Sequence, residues 1–387
     1  MRIFACKERL AGERRAPVTP GSVSKLVKLG AGVEVEEGLG DSISYRDADY
    51  EAAGATVARD RERSFHEADL VLRVRPPTVD EVGLLKPGSL QISFLDPFNQ
   101  RPLVERLASG RITAISMEMI PRTTVAQKMD ALSSQANLSG YVAVILAARY
   151  CSRIFPMMIT PAGTIKPLRV FVIGVGVAGL QAIATARRLG ATVEAFDTRP
   201  VVEEQVKSLG ARFVKLDLGE VAQTADGYAK PLTPEQIEKQ RELLAERVAS
   251  ADVVITAAQV FGRKAPIIVT SAMVQRMKPG SVIVDTAVES GGNVEELKHN
   301  EVADIGGVTV VGLADLPSRA ATNASDMLAN NFAALIEHCW DKQRQTFSLD
   351  LTQEILRRCV VTHGGEICNE TIRTAYGLPP QQTASPS

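Results

Sequence analysis

The residues best suited to chemistry form a glycine-rich turn in the middle of the chain. Residues 170–179 read as an apolar strand that runs into Gly174, Gly176 and Gly179, with the spacing Gly-x-Gly-x-x-Gly and a helical pattern after it. In such a turn the first glycine permits the sharp bend, the second lets a pyrophosphate approach the backbone, and the third lets the helix lie close to the sheet. The free N–H groups at the start of that helix favour a phosphate. The motif therefore predicts a dinucleotide site.

The next predicted strand ends in an acid that indicates which dinucleotide binds. Asp197 lies 18 residues after Gly179 (197 − 179 = 18), close to the spacing of about 20 at which an acid binds the hydroxyls of the adenosine ribose. A carboxylate there repels a 2′-phosphate, so the sequence favours NAD(H) over NADP(H). Arg199, two residues further on, weakens that preference. The alternative is a glycine-rich turn in an α/β protein that binds no nucleotide.

A second group of polar residues lies at the start of a long helix predicted at 126–150. Gln127, Asp130 and Ser133 follow one another at intervals of three and would share one helical face. With Arg122 they lie at the predicted junction of two domains, where Arg122 and Gln127 could hold a nicotinamide carboxamide or a phosphate. A solvated face with an N-cap explains the same composition, so both interpretations stay open.

Histidine is scarce, and this bears on the kind of reaction. The four histidines fall outside both groups of polar residues; they are His66, His299, His338 and His363. A dehydrogenase acting on an alcohol or amine needs a general acid or base, most often His or Lys. Hydride exchange between two nicotinamide rings moves no proton and needs only aligned placement. The sequence favours this second chemistry, although Lys or Asp could still serve as an acid or base.

Composition and charge limit the classes of protein that remain. The chain has 387 residues, 45% of them hydrophobic, and a net charge of −1, so it can bury a large core and has no basic surplus for nucleic acid. Its five cysteines are scattered without the spacing of a metal site, and no metal is expected. Apolar runs such as 141–148 are too short to cross a bilayer, and the charged N-terminus is unlike a secretory signal. We expect a soluble chain in a reducing compartment.

Predicted strands and helices alternate in two series, which indicates an α/β fold. We expect two Rossmann-like domains with parallel sheets, linked by two long helices around a cleft. The first would be an N/C-terminal α/β domain of residues 1–134 plus 321–387. The second would be an inserted NAD(H)-binding Rossmann domain of residues 135–320. Helices predicted at 126–150 and 318–340 would connect them.

Two further segments break this alternation of strands and helices. Residues 217–233 are long for a connection and contain Tyr228 beside Gly227, so they are either a lid that closes over a ligand or a passive surface loop. The polar tail at 379–387 is predicted to be disordered.

Four stretches of the chain, taken together, match a known family. They are residues 129–135, the turn and helix at 174–186, the segment 227–230, and residues 277–285. In combination they resemble the NAD(H)-binding component of proton-translocating nicotinamide nucleotide transhydrogenase. The resemblance extends over nearly the whole chain, and the combined motifs are specific where the glycine pattern alone is not.

This resemblance implies an activity, partners and a set of site residues. It implies an enzyme that transfers hydride directly from NADH to NADP⁺ held on a separate NADP(H)-binding subunit, coupled to proton movement through membrane-embedded subunits. It also implies a cytoplasmic homodimer without a membrane span, held on the inner face of the cytoplasmic membrane by its partner subunits. The nicotinamide end would be held by Arg122, Gln127, Asp130 and Ser133. The pocket for the rest of the nucleotide would comprise Gly174, Gly176, Val177, Gly179, Asp197, Thr198, Arg199, Gly227, Tyr228 and Ala257, with Tyr228 on a mobile loop.

The same fold is similar to that of alanine dehydrogenase, which supplies the main alternative. There a Lys in a Lys-Val-Lys-like strand and a His after a Phe-Leu pair handle the amino acid. In this chain Arg75 and Asp96 stand at those positions. Arg75 cannot lose its proton at working pH, and Asp96 replaces the His, so the acid/base is removed. An NAD-dependent amino-acid dehydrogenase and a non-catalytic NAD-binding regulatory module remain the alternatives.

Overall fold

The chain divides into two compact units. The computed structural model describes residues 1–215 and 232–380. Unit 1 comprises Met1–Gln135 and Ala320–Ser387, and unit 2 comprises Ala136–Arg319. All but the last two residues of the segment predicted as a lid or loop, including Gly227 and Tyr228, lie outside the described residues, and so does the tail from residue 381.

Helices and strands alternate through both units. The helices of the described residues are α1 (Pro20–Lys28), α2 (Asp47–Ala52), α3 (Arg61–Glu67), α4 (Arg101–Ser109), α5 (Ala131–Tyr150), α6 (Val177–Arg188), α7 (Glu203–Ser208), α8 (Pro234–Ser250), α9 (Ser271–Gln275), α10 (Ala321–His338), α11 (Glu354–Cys359) and α12 (Glu370–Ala375). The strands are β1 (Arg2–Ala5), β2 (Gly32–Glu36), β3 (Thr56–Ala58), β4 (Leu70–Leu72), β5 (Leu90–Ser93), β6 (Thr113–Ser116), β7 (Met158–Thr160), β8 (Gly163–Ile165), β9 (Arg169–Ile173), β10 (Thr192–Phe196), β11 (Arg212–Phe213), β12 (Val253–Thr256), β13 (Val282–Asp285), β14 (Glu301–Ile305), β15 (Val308–Gly312), β16 (Trp340–Asp341), β17 (Thr346–Phe347), β18 (Val360–His363) and β19 (Glu366–Ile367).

Unit 1 is built on an eight-stranded sheet in the order β19-β18-β6-β5-β4-β1-β2-β3. Strands β1 to β6 pair in parallel, whereas β18 and β19 extend one edge in antiparallel fashion. The parallel part therefore has the 3-2-1-4-5-6 order of a doubly wound fold. Every residue of β4 and β6 is buried, as expected for strands covered on both faces.

Unit 2 repeats this arrangement in a seven-stranded sheet in the order β11-β10-β9-β12-β13-β15-β14. Its six parallel strands have the same 3-2-1-4-5-6 order, and β14 is antiparallel to β15 at the edge. The core joins Phe171 and Val254 of the sheet to Leu244 of α8. These parallel-dominated sheets confirm the prediction of an α/β fold with two Rossmann-like domains.

A hairpin of β7 and β8 lies outside the seven-stranded sheet of unit 2. All residues of its two strands are exposed. The sequence analysis did not predict it, because no alternation of buried and exposed side chains marks these residues.

Helix α5 is the only helix of the described residues that is long and apolar enough to cross a membrane. About 44% of its most apolar window is buried inside the protein, and core helices of similar length meet the same criterion. Its apolar composition is therefore weak support for a membrane span.

Helix α5 also begins later than predicted. Gln127–Met129 form a short 3₁₀ turn, and Asp130 has a non-helical backbone (φ −69°, ψ 86°). The Asp130 carboxylate accepts a 2.9 Å hydrogen bond from the Ser133 backbone N–H, which is the geometry of an N-cap. The prediction that Gln127, Asp130 and Ser133 share one helical face is therefore wrong.

Smaller differences from the sequence-based assignment occur in both units. The strand predicted at 358–362 is preceded by the end of α11, and only Val360–His363 are extended. The helix predicted at 200–208 begins as a 3₁₀ turn at Pro200–Val202. Helices α2 and α3 and strands β3 and β14 were not predicted.

Gly140 permits a close contact between α5 and α6 within unit 2. A Cβ atom at Gly140 would lie 2.1 Å from the Ala178 carbonyl oxygen. We expect Gly140→Ala to destabilise unit 2 by about 1–3 kcal/mol, the usual cost of overpacking. Gly21→Ala in α1, where a Cβ atom meets nothing within 4 Å, is the matched control and should slightly stabilise the protein. Urea unfolding followed by circular dichroism measures both; equal effects would contradict the role of Gly140.

Candidate functional site

The carboxyl ends of three neighbouring strands in unit 2 form the candidate site. Strand β9 lies between β10 and β12, so the order of the sheet reverses direction there. Gly174, Asp197 and Ala257 follow β9, β10 and β12 directly. In doubly wound sheets ligands bind in the crevice at this switch point, outside the carboxyl ends of the strands.

The three glycines of the turn have different surroundings. Gly174 has φ +95°, and a Cβ atom there would lie 2.6 Å from the Ala257 carbonyl carbon. A Cβ atom at Gly179 would lie 1.9 Å from the Gly174 carbonyl oxygen, whereas one at Gly176 would meet nothing within 4 Å. Backbone therefore excludes a side chain at two positions, while Gly176 faces open space where a phosphate can approach. This arrangement fits a dinucleotide pyrophosphate.

The N-terminus of α6 offers donors to such a group. Gly176 is the N-cap residue and Val177 is the first helical residue, and no side chain of the described residues caps this end. The first N–H groups of a helix have no partner within the helix and carry its positive dipole end. They are therefore available to an anion.

Asp197 is tied to the glycine turn through its carboxylate. One oxygen accepts a 2.7 Å hydrogen bond from the Val175 backbone N–H, and the other accepts one of 2.8 Å from the Arg199 backbone N–H. The Arg199 guanidinium also pairs with Asp197 at 2.8 Å, and Thr198 lies between them in the chain. The structure thus brings Asp197 and Arg199 to the turn.

Two buried residues to which the sequence analysis gave no role hold the segment after β12. Asn293 donates to the carbonyls of Ala258 (2.8 Å) and Pro266 (2.9 Å) and accepts from the Ala258 N–H (3.1 Å). Asp285 accepts from the N–H groups of Ala287 and Asn293. Burial raises the pKa of Asp285, although these donors oppose the rise. The signal was an acid at the end of a buried strand, but the role of Asn293 depends on contacts distant in sequence.

The second set of predicted site residues lies in unit 1, at the start of α5. The Ser133 hydroxyl donates to Asp130 (2.6 Å), and the Arg122 guanidinium lies 4.0 Å from the same carboxylate. Gln127 is exposed on the preceding 3₁₀ turn. The structure therefore brings Arg122, Asp130 and Ser133 together and leaves Gln127 accessible on the neighbouring turn.

The sheet of unit 1 has its own switch point, between β1 and β4, and charged side chains fill it. The buried Glu8 carboxylate accepts hydrogen bonds from the N–H groups of Val74 and Arg75, and it lies 3.6 Å from Arg73. Burial raises the pKa of Glu8, and Arg73 opposes the rise. Arg75 pairs with the fully buried carboxylate of Glu13 at 2.8 Å. Each of these charges is already engaged by the protein.

Asp96, the other position compared with alanine dehydrogenase, is part of a strained turn. Its φ is +48°, and its side chain accepts a 2.8 Å hydrogen bond from Asn99. Glu118 accepts from the N–H groups of Leu95 and Asp96. The carboxylate of Asp96 therefore takes part in the turn itself.

Comparison with known proteins gives a consistent family. Residues 5–139 match the alanine dehydrogenase/PNT N-terminal domain, and residues 143–370 match the alanine dehydrogenase/PNT C-terminal domain. The chain is 44% identical over 379 residues to an NAD(P) transhydrogenase subunit alpha protein of Rhodospirillum rubrum, covering 96% of this chain and 99% of that protein.

Solved structures agree with this assignment. A transhydrogenase from Sinorhizobium meliloti matches with a TM-score of 0.86 and 41% identity, covering 95% of this chain and 100% of the other. An L-alanine dehydrogenase matches with a TM-score of 0.80 and 25% identity, covering 97% and 99%. Similarity to the transhydrogenase is therefore the greater of the two.

The open space at Gly176 gives a test of the site. A methyl group there fits without strain but stands where a pyrophosphate would approach. We expect Gly176→Ala to weaken NADH binding at least about tenfold and to change the free energy of unfolding by less than about 0.5 kcal/mol. Calorimetric titration and urea unfolding measure the two quantities. Unchanged affinity would remove the pyrophosphate from this turn.

Proposed function

The chain belongs to the alanine dehydrogenase/PNT family, and from that premise we propose that it is the NAD(H)-binding subunit of a proton-translocating transhydrogenase. Family membership implies a nicotinamide nucleotide site, and the relatives named subunit alpha imply a complex of several subunits. The observation that carries the proposal is the switch-point turn of unit 2, where Gly176 faces open space beside a helix N-terminus that no described side chain caps.

We assign unit 2 as the NAD(H)-binding domain, with Asp197 as the acceptor for the adenosine ribose hydroxyls. Its position after β10 and its hydrogen bond from the Val175 N–H place the carboxylate next to the turn. A carboxylate at this position disfavours a 2′-phosphate, which supports NAD(H) as the nucleotide of this subunit. When bound, NADH supplies the hydride, and NADP⁺ on a separate subunit receives it.

In unit 1 the N-cap of α5 supports the role proposed for the nicotinamide end. Asp130, Ser133 and Arg122 are held together by the cap, so their polar atoms are fixed before a ligand arrives. Arg122 and Gln127 offer donors for a carboxamide or phosphate oxygen. Positioning of this kind is the main contribution that a protein makes to a reaction without proton transfer.

The charges of unit 1 argue against an amino-acid dehydrogenase. Arg75 stays protonated and is paired with Glu13, and Asp96 is engaged in its own turn. The four histidines are all exposed. The residues at the positions compared with alanine dehydrogenase therefore offer no ready general base.

The remaining partners follow from the same proposal. The NADP(H)-binding subunit would dock on this chain, and membrane-embedded subunits would carry the proton. This chain would then lie at the inner face of the cytoplasmic membrane, held there by its partners.

Hydride transfer can be measured with purified chain and a transhydrogenase NADP(H)-binding subunit. We expect transfer from NADH to an NADP⁺ analogue, and we expect Gln127→Ala to slow it at least about tenfold while NADH affinity changes less than twofold. Gln127 is exposed, so its loss should not disturb folding. Absence of transfer with the wild-type chain, or NAD⁺ reduction by L-alanine, would contradict the proposed function.

Asp130 needs a matched pair of variants because it also caps α5. Asp130→Ser keeps an N-cap and removes the charge, whereas Asp130→Ala removes both. If the carboxylate acts on the nucleotide, both variants slow transfer alike. If only the cap matters, Asp130→Ser keeps the wild-type rate, and the proposed contact with the nicotinamide end is lost.

We also propose that the chain forms a homodimer, and the β7–β8 hairpin supports this. Its apolar side chains are exposed, with Met158 at 46%, Ile159 at 73% and Ile165 at 46%. Residues 157–165 carry no charge. An isolated two-stranded hairpin is marginally stable in water, and an exposed apolar hairpin commonly marks an interface. A second copy of this chain would cover it.

A charge in the hairpin tests the dimer. We expect Ile159→Asp to convert the protein from twice the chain mass to the chain mass, since a buried unpaired carboxylate is costly. Val79→Asp, at a position 46% exposed in unit 1, is the matched control and should leave the mass unchanged. Sedimentation velocity measures both. A wild-type monomer, or a dimer unaffected by Ile159→Asp, would refute this interface.

A further inference from the structure

The carboxylate of Asp197 has no acceptor position left in this structure. Oδ1 accepts from the Arg199 backbone N–H at 2.8 Å and from Arg199 Nε at 2.9 Å. Oδ2 accepts from the Val175 backbone N–H at 2.7 Å and from Arg199 Nη2 at 2.8 Å. A carboxylate offers about four lone-pair sites, and four donors occupy them here. An additional donor can bind only if one of these leaves.

The four donors differ in how readily they can leave. The two backbone N–H groups are fixed by the turn after β9 and by the chain after β10. The other two belong to the Arg199 side chain, whose Nη2 also donates to the Val175 carbonyl at 3.1 Å. The Arg199 guanidinium therefore lies across Asp197 and the middle of the glycine turn. Its side chain is the part that can move away without changing the backbone.

The number of donors that can leave equals the number that an adenosine ribose brings. The ribose of NAD(H) presents two hydroxyls to an acid at this position, and the Arg199 fork presents two N–H groups. On the basis of the NAD(H) site proposed above, we propose that Arg199 is a built-in competitor for the ribose: it occupies Asp197 in the free protein and is displaced when the nucleotide binds.

This competition makes Arg199 a specificity-determining residue. While paired with Asp197, the guanidinium cancels the carboxylate charge that would repel a 2′-phosphate. After displacement it remains two residues away, where its positive charge would attract such a phosphate. Both effects reduce the discrimination between NADH and NADPH that Asp197 alone would give. The pair therefore lowers NADH affinity and moderates selectivity at the same time.

Substitution of Arg199 separates these effects. We expect Arg199→Leu to tighten NADH binding about threefold to tenfold, because nothing has to be displaced, and to weaken NADPH binding, because the counter-charge is lost. Arg199→Lys keeps the charge without the bidentate fork, and it should tighten NADH binding while leaving NADPH binding near the wild-type value. Calorimetric titration gives all the dissociation constants.

Arg188→Leu is the matched control for the change of net charge. Arg188 is exposed in the last turn of α6, and its loss should leave both affinities within twofold of wild type. If Arg199→Leu instead weakens NADH binding, or leaves both affinities unchanged, Arg199 is not a competitor. Wild-type protein that binds no NADH would refute the nucleotide site itself, which is a separate outcome.

A direct observation of Arg199 completes the test. The Nε–H resonance of Arg199, assigned by its loss in Arg199→Leu, can be followed by NMR of arginine side chains. In the nucleotide-free protein it should be protected from exchange with solvent by its bond to Asp197, and saturation with NADH should remove that protection. Protection that persists with NADH bound would overturn the displacement.

Discussion

The structure of unit 2 depends on one constraint: the turn between β9 and α6 has room only for main chain. The Gly174 backbone approaches Ala257, and the Gly174 carbonyl lies where a Cβ atom of Gly179 would stand. Gly140 of α5 gives α6 a further contact without side chains. Because these glycines bring the start of α6 close to the sheet, the helix N-terminus and the carboxylate at the end of β10 can face one ligand.

The same strand order gives a different result in unit 1. Both sheets have a 3-2-1-4-5-6 parallel core, so each has a switch point where a ligand could bind. In unit 1 that position holds Glu8, Arg73 and Arg75, whose charges are balanced by internal ion pairs and backbone donors. Removing one partner of such a pair would leave a buried charge uncompensated. Fold topology therefore marks two crevices, and the local residues decide which one can accept a nucleotide.

Sequence patterns predicted the parts of the fold that depend on local residues. Gly174, Gly176 and Gly179 mark the turn because their spacing reflects local sterics, and β9 is a continuous apolar run. The start of α5 was misjudged because the Asp130 side chain competes for the helix backbone and ends the 3₁₀ turn. Strand β3 has only three residues, one of them buried, too few for a periodicity. The position of Asn293 could not be predicted, because its partner Ala258 lies 35 residues away in the chain.

Unit 1 also shows how a related fold can lose an acid/base and keep the surrounding structure. Residues 94–97 form a turn in which Asp96 has a positive φ, a conformation that costs a non-glycine residue free energy. Glu118 offsets that cost, because its carboxylate accepts the N–H groups of Leu95 and Asp96. Desolvation raises the pKa of Glu118, while those same hydrogen bonds favour its ionised form. The acidic groups of this segment thus maintain a backbone conformation. A reaction that transfers only hydride makes no further demand on them.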